Sequence, residues 1–231
     1  MSGASVSSPQ SSDLVATGPY DSDLFRYYKV VGRDVFGTVD VRDNHVATLV
    51  LPKGIPTFKT TSTMSPSQAQ TIASSYLSDH GIRTDGLTMT VAAKNRGDIQ
   101  TYEVTWQRTI NGAEIPDTRL VELDATTGVV FLVHNISRPY DSPPAPAVTR
   151  VTAIADAQAT VARLIGTGSG SATQPPSDLV VDQAKLQVSF DATGTQHLIW
   201  LIHLHNQSLG MTSEGRAVVV DAMTGSAVVV G

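Results

Sequence analysis

Tyr102–Val133 reads YEVTWQRTINGAEIPDTRLVELDATTGVVFLV, and the organisation of the chain follows from it. Its first part alternates. Tyr102, Val104 and Trp106 point one way and Glu103, Thr105 and Gln107 the other, the period of two that marks a strand with one buried and one wet face. Its second part is two apolar runs joined by Asp124-Ala-Thr-Thr-Gly128. An Asp side chain accepts from the backbone N–H two residues on, and Gly supplies the positive φ that closes the hairpin. The stretch therefore reads as a three-stranded antiparallel meander.

The same grammar returns at His197–Val230, HLIWLIHLHNQSLGMTSEGRAVVVDAMTGSAVVV. Asp221 answers Asp124, Gly225 answers Gly128 and Arg216 answers Arg119. A helical stripe precedes each copy: Ala69, Ile72, Ala73, Tyr76 and Leu77 before the first, Ala157, Val161, Leu164 and Ile165 before the second. Ser65-Pro66-Ser67-Gln68 is a capping box with Pro at the first helical position, Gly81 is a left-handed C-terminal cap, and Thr152 is the expected cap of the second helix.

A helix followed by a meander ending in Val121-Glu-Leu-Asp-Ala-Thr-Thr-Gly-Val129, and again in Val218-Val-Val-Asp-Ala-Met-Thr-Gly225, resembles the PepSY family. Those are cystatin-like modules of peptidase propeptides and envelope proteins. The resemblance covers residues 65–135 and 152–231. Upstream, Gly32-Arg-Asp-Val-Phe-Gly-Thr-Val-Asp-Val41 and His45–Val50 resemble the β segment that precedes the PepSY unit in thermolysin-type metallopeptidase propeptides. The departure is that a second PepSY-like unit stands where the catalytic domain would follow.

The expected fold class is thus α+β: two cystatin-like units, each one helix on a four-stranded antiparallel sheet, after a short three-stranded β segment. The expected divisions are a disordered tether over 1–20, the N-terminal β segment over 21–62, unit 1 over 63–138, a proline-rich linker over 139–149 and unit 2 over 150–231. Within the β segment, Phe25–Val31, Val35–Val41 and Val46–Leu51 read as strands, with Asp43-Asn44 as a hinge. Asn95-Arg-Gly-Asp98 reads as a turn and Gly166–Pro176 as a loop. The latter follows a helix instead of opening one, so it is no phosphate cradle.

Composition narrows the function classes. The 231 residues are 41% hydrophobic and 16% charged, which is globular, and the net charge of −5 gives no reason to bind nucleic acid or an anionic membrane. No apolar run approaches the roughly 20 residues of a membrane span. The absence of cysteine removes disulfides, zinc ribbons and thiol catalysis together. His-Glu-x-x-His and Gly-x-Ser-x-Gly are both missing, so no catalytic residues are assigned and no enzymatic activity or cofactor is expected. The Ser-rich opening reads as a tether after a removed signal or lipid anchor, and the chain is expected to be secreted or in the cell envelope.

The candidate site is a surface. On the strand from His197, Trp200, Ile202 and Leu204 face the helix, yet Ile199 and Leu201 occupy the opposite face, joined by Val219 on the next strand. Apolar residues on both faces of an antiparallel sheet imply that both are covered. The cover would be the first unit, a second copy of the chain, or a partner. His203 and His205 lie on the same face at i, i+2, near enough to share a metal ion, though two imidazoles alone make a poor site. His197 is about 20 Å from His203 along a strand and cannot join them. The family resemblance implies a peptidase, or another envelope or secreted protein, as partner, with inhibition or folding assistance as the task. An envelope scaffold, or a metal- or pH-responsive binder, are the rival readings.

Overall fold

The computed structural model describes residues 14–21, 26–40, 46–52, 64–96, 99–166, 179–191, 193–206 and 216–230. The fold is α+β, with two helices and a mostly antiparallel sheet among the described residues. The chain divides into two compact units. Unit 1 comprises Met1–Arg108 and Pro116–Pro139, and unit 2 comprises Thr109–Ile115 and Tyr140–Gly231. The expected hinge at Asp43-Asn44, the tip of the Asn95–Asp98 turn and the glycine-rich run after Gly166 lie outside the described residues.

Unit 1 begins with β1 (Val15–Asp21), β2 (Arg26–Gly32), β3 (Val35–Asp40) and β4 (Val46–Val50), each antiparallel to the next. The sequence predicts three strands here, after a tether over residues 1–20. Val15, Ala16 and Thr17 instead pair with Val31, Val30 and Lys29. A β-branched edge lying beside another β-branched strand outweighs the small polar residues around it.

Helix α1 (Pro66–Asp79) starts as the sequence dictates. Ser65 Oγ accepts from Gln68 N–H, and Gln68 Oε1 accepts from Ser65 N–H at 2.8 Å. It ends in a Schellman motif: Ile82 N–H reaches Leu77 C=O, Gly81 N–H reaches Ser78 C=O, and Gly81 has φ +69°. The strands β5 (Thr88–Arg96), β6 (Ile99–Ile110), β7 (Ala113–Asp124) and β8 (Val130–Ser137) follow, and β8 also pairs with β4. Ala69, Ala73 and Leu77 of α1 bury against Tyr102, Val104 and Trp106 of β6 and Val121 and Leu123 of β7, with Ile72 and Tyr76 packed at the margin. The expected stripe and strand phase both form this core.

Unit 2 carries helix α2 (Arg150–Gly166), then β9 (Leu179–Phe190), β10 (Gln196–Asn206), β11 (Arg216–Asp221) and β12 (Ala227–Val230), an antiparallel run in chain order. The helix cap corrects the sequence reading. Thr149 Oγ1 accepts from Thr152 N–H, so Thr149 is the cap and Thr152 is its third-position donor. Two threonines three apart offer the same hydroxyl, and the one preceding the first helical residue has free backbone donors ahead of it. The core stripe also differs. Ala153, Ala157, Val161 and Ala162 are buried, whereas Leu164 is 50% exposed. Three alanines bring the helix axis close to the sheet, and the long Leu164 falls at the side of that contact, next to β12. The side chain of Ile165 lies outside the described residues.

Two further pieces complete unit 2. The stretch Tyr140–Val148, read as a linker, is tied to it. Val148 accepts from the Trp200 indole at 2.9 Å and donates to Ala222 C=O, and Tyr140 and Val148 pack on the core. The tip of the β6–β7 hairpin belongs here as well. Asn111 (φ 52°) and Gly112 (φ 81°) make the turn, Asn111 Nδ2 donates to Pro143 C=O, and Ala113 and Ile115 are core residues. Glu114 lies parallel to Gln187 and pairs with Lys185 at 2.9 Å. The Asn-Gly pair is the sequence signal that marks this turn.

Candidate functional site

The outer face of the unit 2 sheet is set by β10. Leu198, Trp200, Ile202 and Leu204 enter the core beneath α2 together with Val218 and Val220 of β11. Period two then sends His197, Ile199, Leu201, His203 and His205 to the other side. Cross-strand register aligns them in rows. Lys185, Leu201, Val219 and Val228 form one, and Gln183, His203, Ala217 and Val230 the next. Ile199 stands one row away between Gln187 and Asp221.

Leu201 and Val219 are therefore direct cross-strand neighbours, with His203 beside them on the next row. Ile199 is buried, and Leu201, His203 and Val219 are half-buried. The apolar rows continue outward to Val228, 59% exposed, and Val230, 41% exposed. Neither is among the residues that the sequence analysis places on this face. The alternation of the final Ala-Val-Val-Val run, phased from the Asp221 turn, would have found both.

His205 has a partner that the sequence did not disclose. Between His203 and Leu204 the β9–β10 register slips, His203 lying opposite Gln183 and Leu204 opposite Val181. Asp182 is the extra residue, and its carboxylate meets His205 Nδ1 at 2.7 Å. A bulge re-aims a side chain in this way. The Nε2 of His205 is the ring nitrogen left for any other ligand. No group of three or more His, Asp or Glu side chains comes together in metal-binding geometry among the described residues.

At the other end of β10, His197 Nε2 meets Asp191 Oδ2 at 3.1 Å. Asp191 opens a third Asp-Ala-x-x turn, with Gly194 at φ +86°. Hydrogen bonds from the Thr193 hydroxyl, from His197 and from Thr195 N–H hold its carboxyl well below the usual range. Asp221 repeats the device. Burial pushes its carboxyl up, but donation from Thr224 and Met223, with His197 nearby, leaves it lowered.

The corresponding face of unit 1 corrects an expectation. The period of two phases Glu103, Thr105 and Gln107 toward water, but all three are half-buried. Polar groups on this face bond to one another: Thr118 Oγ1 to Gln107 Oε1 at 2.6 Å, and Thr101 Oγ1 to the buried Glu122 at 2.8 Å. Lys94 reaches Glu103 at 3.6 Å. Nearby, Asp117 is clamped between Arg108 Nε at 2.6 Å and Arg119 Nη1 at 2.9 Å. On the neighbouring strand, His134 Nδ1 meets Thr48 Oγ1 at 3.0 Å, and burial pushes its imidazole pKa down.

Two shallow hollows accompany these faces. One of about 420 Å³ lies between α2 and β12, lined by Thr160, Arg163, Leu164 and Ala227–Val229. The other, about 440 Å³, lies between α1 and the Asp124 turn. No helix among the described residues is long and apolar enough to cross a membrane.

No family model matches the chain, and neither does any curated protein. Among solved structures it is similar to the Bacillus megaterium YpeB C-terminal domain, at 15% identity over 94% of this chain and 88% of that one, with a TM-score of 0.45. It is also similar to an uncharacterized protein from Eubacterium rectale, at 11% identity over 95% and 77%, with a TM-score of 0.43. Both scores fall below 0.5.

Proposed function

We propose that this chain is a non-catalytic, extracytoplasmic binding module built from two PepSY-like, cystatin-like units behind an N-terminal β segment. It docks non-covalently on a peptidase, or another secreted or envelope protein, and inhibits it or assists its folding. The observation that carries the reading is the apolar row Leu201–Val219–Val228 on the sheet face opposite α2, flanked by Ile199 and the half-buried His203. Burying one aliphatic of this kind is worth roughly 1.5–3 kcal/mol, and a contiguous set favours a protein partner over water. The twice-repeated order of one helix and four strands supports the two-unit assignment.

Capture from the secretome of the source cell, with the whole chain as bait, tests this. A peptidase should be retained by the parent chain and lost with Leu201→Asp, while circular dichroism stays unchanged. Equal capture by both chains would sink the assignment of this face.

A second reading has one specific support. Asp182 holds His205 at 2.7 Å at the rim of the face, and His203 and His205 share that face two residues apart. Capture that changes with pH or with added Zn²⁺, and no longer does so in His203→Gln, marks a pH- or metal-responsive binder.

A further inference from the structure

The sequence holds two pairs in which Asn or Asp precedes Gly, Asp85-Gly86 and Asn111-Gly112. Both lie in turns, and the glycine has positive φ in each, 69° and 81°. Such pairs share a reaction. The glycine backbone nitrogen, unhindered by a side chain, attacks the neighbouring side-chain carbonyl carbon and closes a succinimide ring. Whether it does so depends on the leaving group and on what holds the side chain.

Asp85 is protected by its leaving group. Arg83 Nε donates to its carboxylate at 2.8 Å and holds the carboxyl below the usual range. An ionised carboxylate has no hydroxyl to expel, so the ring closes poorly. Asn111 carries a neutral amide, which leaves as ammonia. Asn111 is also the one non-glycine residue with positive φ among the described residues, at 52°. The two-residue turn between β6 and β7 demands that conformation at both central positions, which is why the pair stands here. Both residues are exposed, and a methyl added to Gly112 would meet nothing within 4 Å.

The Asn111 side chain is a latch as well. Its Nδ2 donates to the carbonyl of the buried Pro143 at 3.1 Å and so ties the hairpin tip to the Tyr140–Val148 stretch of unit 2. Just beyond it, Ala113 and Ile115 enter the unit 2 core and Glu114 holds Lys185. Loss of the amide removes the donor and sets a carboxylate oxygen against the Pro143 carbonyl, two acceptors with no proton between them. Opening of the ring at the backbone carbonyl does more. It routes the main chain through the side-chain carbons, and the longer link no longer fits a two-residue turn.

We propose that Asn111 is a self-modification site, whose deamidation releases the hairpin tip from unit 2 in one direction only. Gly112 N attacks Asn111 Cγ and the N–Cγ bond forms. The Cγ–Nδ2 bond breaks, and the amide proton of Gly112 leaves with Nδ2 as ammonia. Water then opens the ring at Cγ to give aspartate, or at the backbone carbonyl carbon to give isoaspartate. With the ammonia gone, the latch does not re-form.

Ageing the whole folded chain in mildly alkaline buffer, followed by tryptic peptide mass and amide hydrogen exchange, tests it. The peptide Thr109–Arg119 should gain the mass difference between Asp and Asn and contain isoaspartate, while the peptides carrying Asn95 and Asn135 stay unchanged. Exchange over residues 109–115 and 140–148 should rise in step with that gain. Asn111→Gly keeps a turn that accepts positive φ and has no amide to lose, so its exchange should not change with age. Asn111→Asp should show from the start the faster exchange that the parent acquires. If either variant fails to fold, the parent's time course decides alone, with Asn95 and Asn135 as its internal controls. A folded chain that keeps its Asn111 amide while the urea-unfolded chain loses it would overturn the proposal. So would conversion without faster exchange over 109–115 and 140–148, or an equal rise with age in Asn111→Gly.

Discussion

The two units share a helix, a turn chemistry and a buried face, and they differ on the face that looks away from the helix. Under α1 and α2 the cores are built alike, from small helix residues against Trp106 in one and Trp200 in the other. On the opposite faces, unit 1 presents Thr101–Glu122 and Gln107–Thr118, hydrogen-bonded within the chain, while unit 2 presents Leu201, Val219, Val228 and Val230. A polar face whose groups are mutually satisfied gains little from a partner, because docking must desolvate bonds already made. An apolar face gains in proportion to the area covered. Two units of the same element order thus keep the side under the helix alike and differ on the other.

The comparison breaks most readily at the buried face of β10. Ile202→Ala, at a fully buried site, should cost about 2–5 kcal/mol in denaturant unfolding of unit 2. Its outward neighbour Leu201→Asp should change stability far less while abolishing capture. If the two variants destabilise equally, the two sides of the strand are not functionally distinct.

In unit 1 the outer face should behave as structure. Glu122→Ala strands the Thr101 hydroxyl in a buried place and should cost about 1–3 kcal/mol by the same measurement, with capture unaffected.

The paired turns allow a finer test. Gly128 and Gly225 both have positive φ, 73° and 80°, so alanine costs about 1–2 kcal/mol at either. At Gly128 the new methyl would also stand 2.9 Å from Ile72 Cδ1, whereas at Gly225 its nearest neighbour is Asp156 Oδ2 at 3.4 Å. Gly128→Ala should therefore lower the melting temperature more than Gly225→Ala.

The smallest effect separates the units by pH. Burial lowers the His134 pKa below 6.5 in the folded chain, so the unfolded chain takes up the proton first. Stability is full above about 6.5 and falls as the pH drops through the window beneath it. His134→Gln should flatten that part of the melting curve. The lowered Asp191 carboxyl acts in the other unit only in acid. Its contribution is present above 3.8 and is lost as the pH falls toward its folded value.

How much of this was legible depended on whether the information was local. The capping box at Ser65 and Gln68, the Asp124 and Asp221 turns and the two-sided phase of β6 and β10 are set by neighbours within a few residues, and each could be read directly. The face bearing Ile199, Leu201 and Val219 was legible for the same reason. Glu122 was not, because its burial depends on Thr101, twenty-one residues away on another strand. The Asp182–His205 pair was not, because a bulge is a property of two strands and leaves no mark on either. Leu164 misled because a helical stripe fixes an azimuth only to within a residue, and three alanines decided which side lay closest to the sheet.

The seven residues Thr109–Ile115 precede the rest of unit 2 in the chain, yet Ala113 and Ile115 belong to its core. During synthesis this hairpin tip leaves the ribosome well ahead of α2 and β10. At roughly 5–20 residues per second, it waits on the order of ten seconds for the core that will receive it. The nascent chain therefore carries a sticky hairpin end through that interval, the kind of surface that chaperones recognise. A cut at Pro139 would make the exposure permanent, so a gene fragment ending there is expected to yield an aggregation-prone product even though its own helix and core are intact.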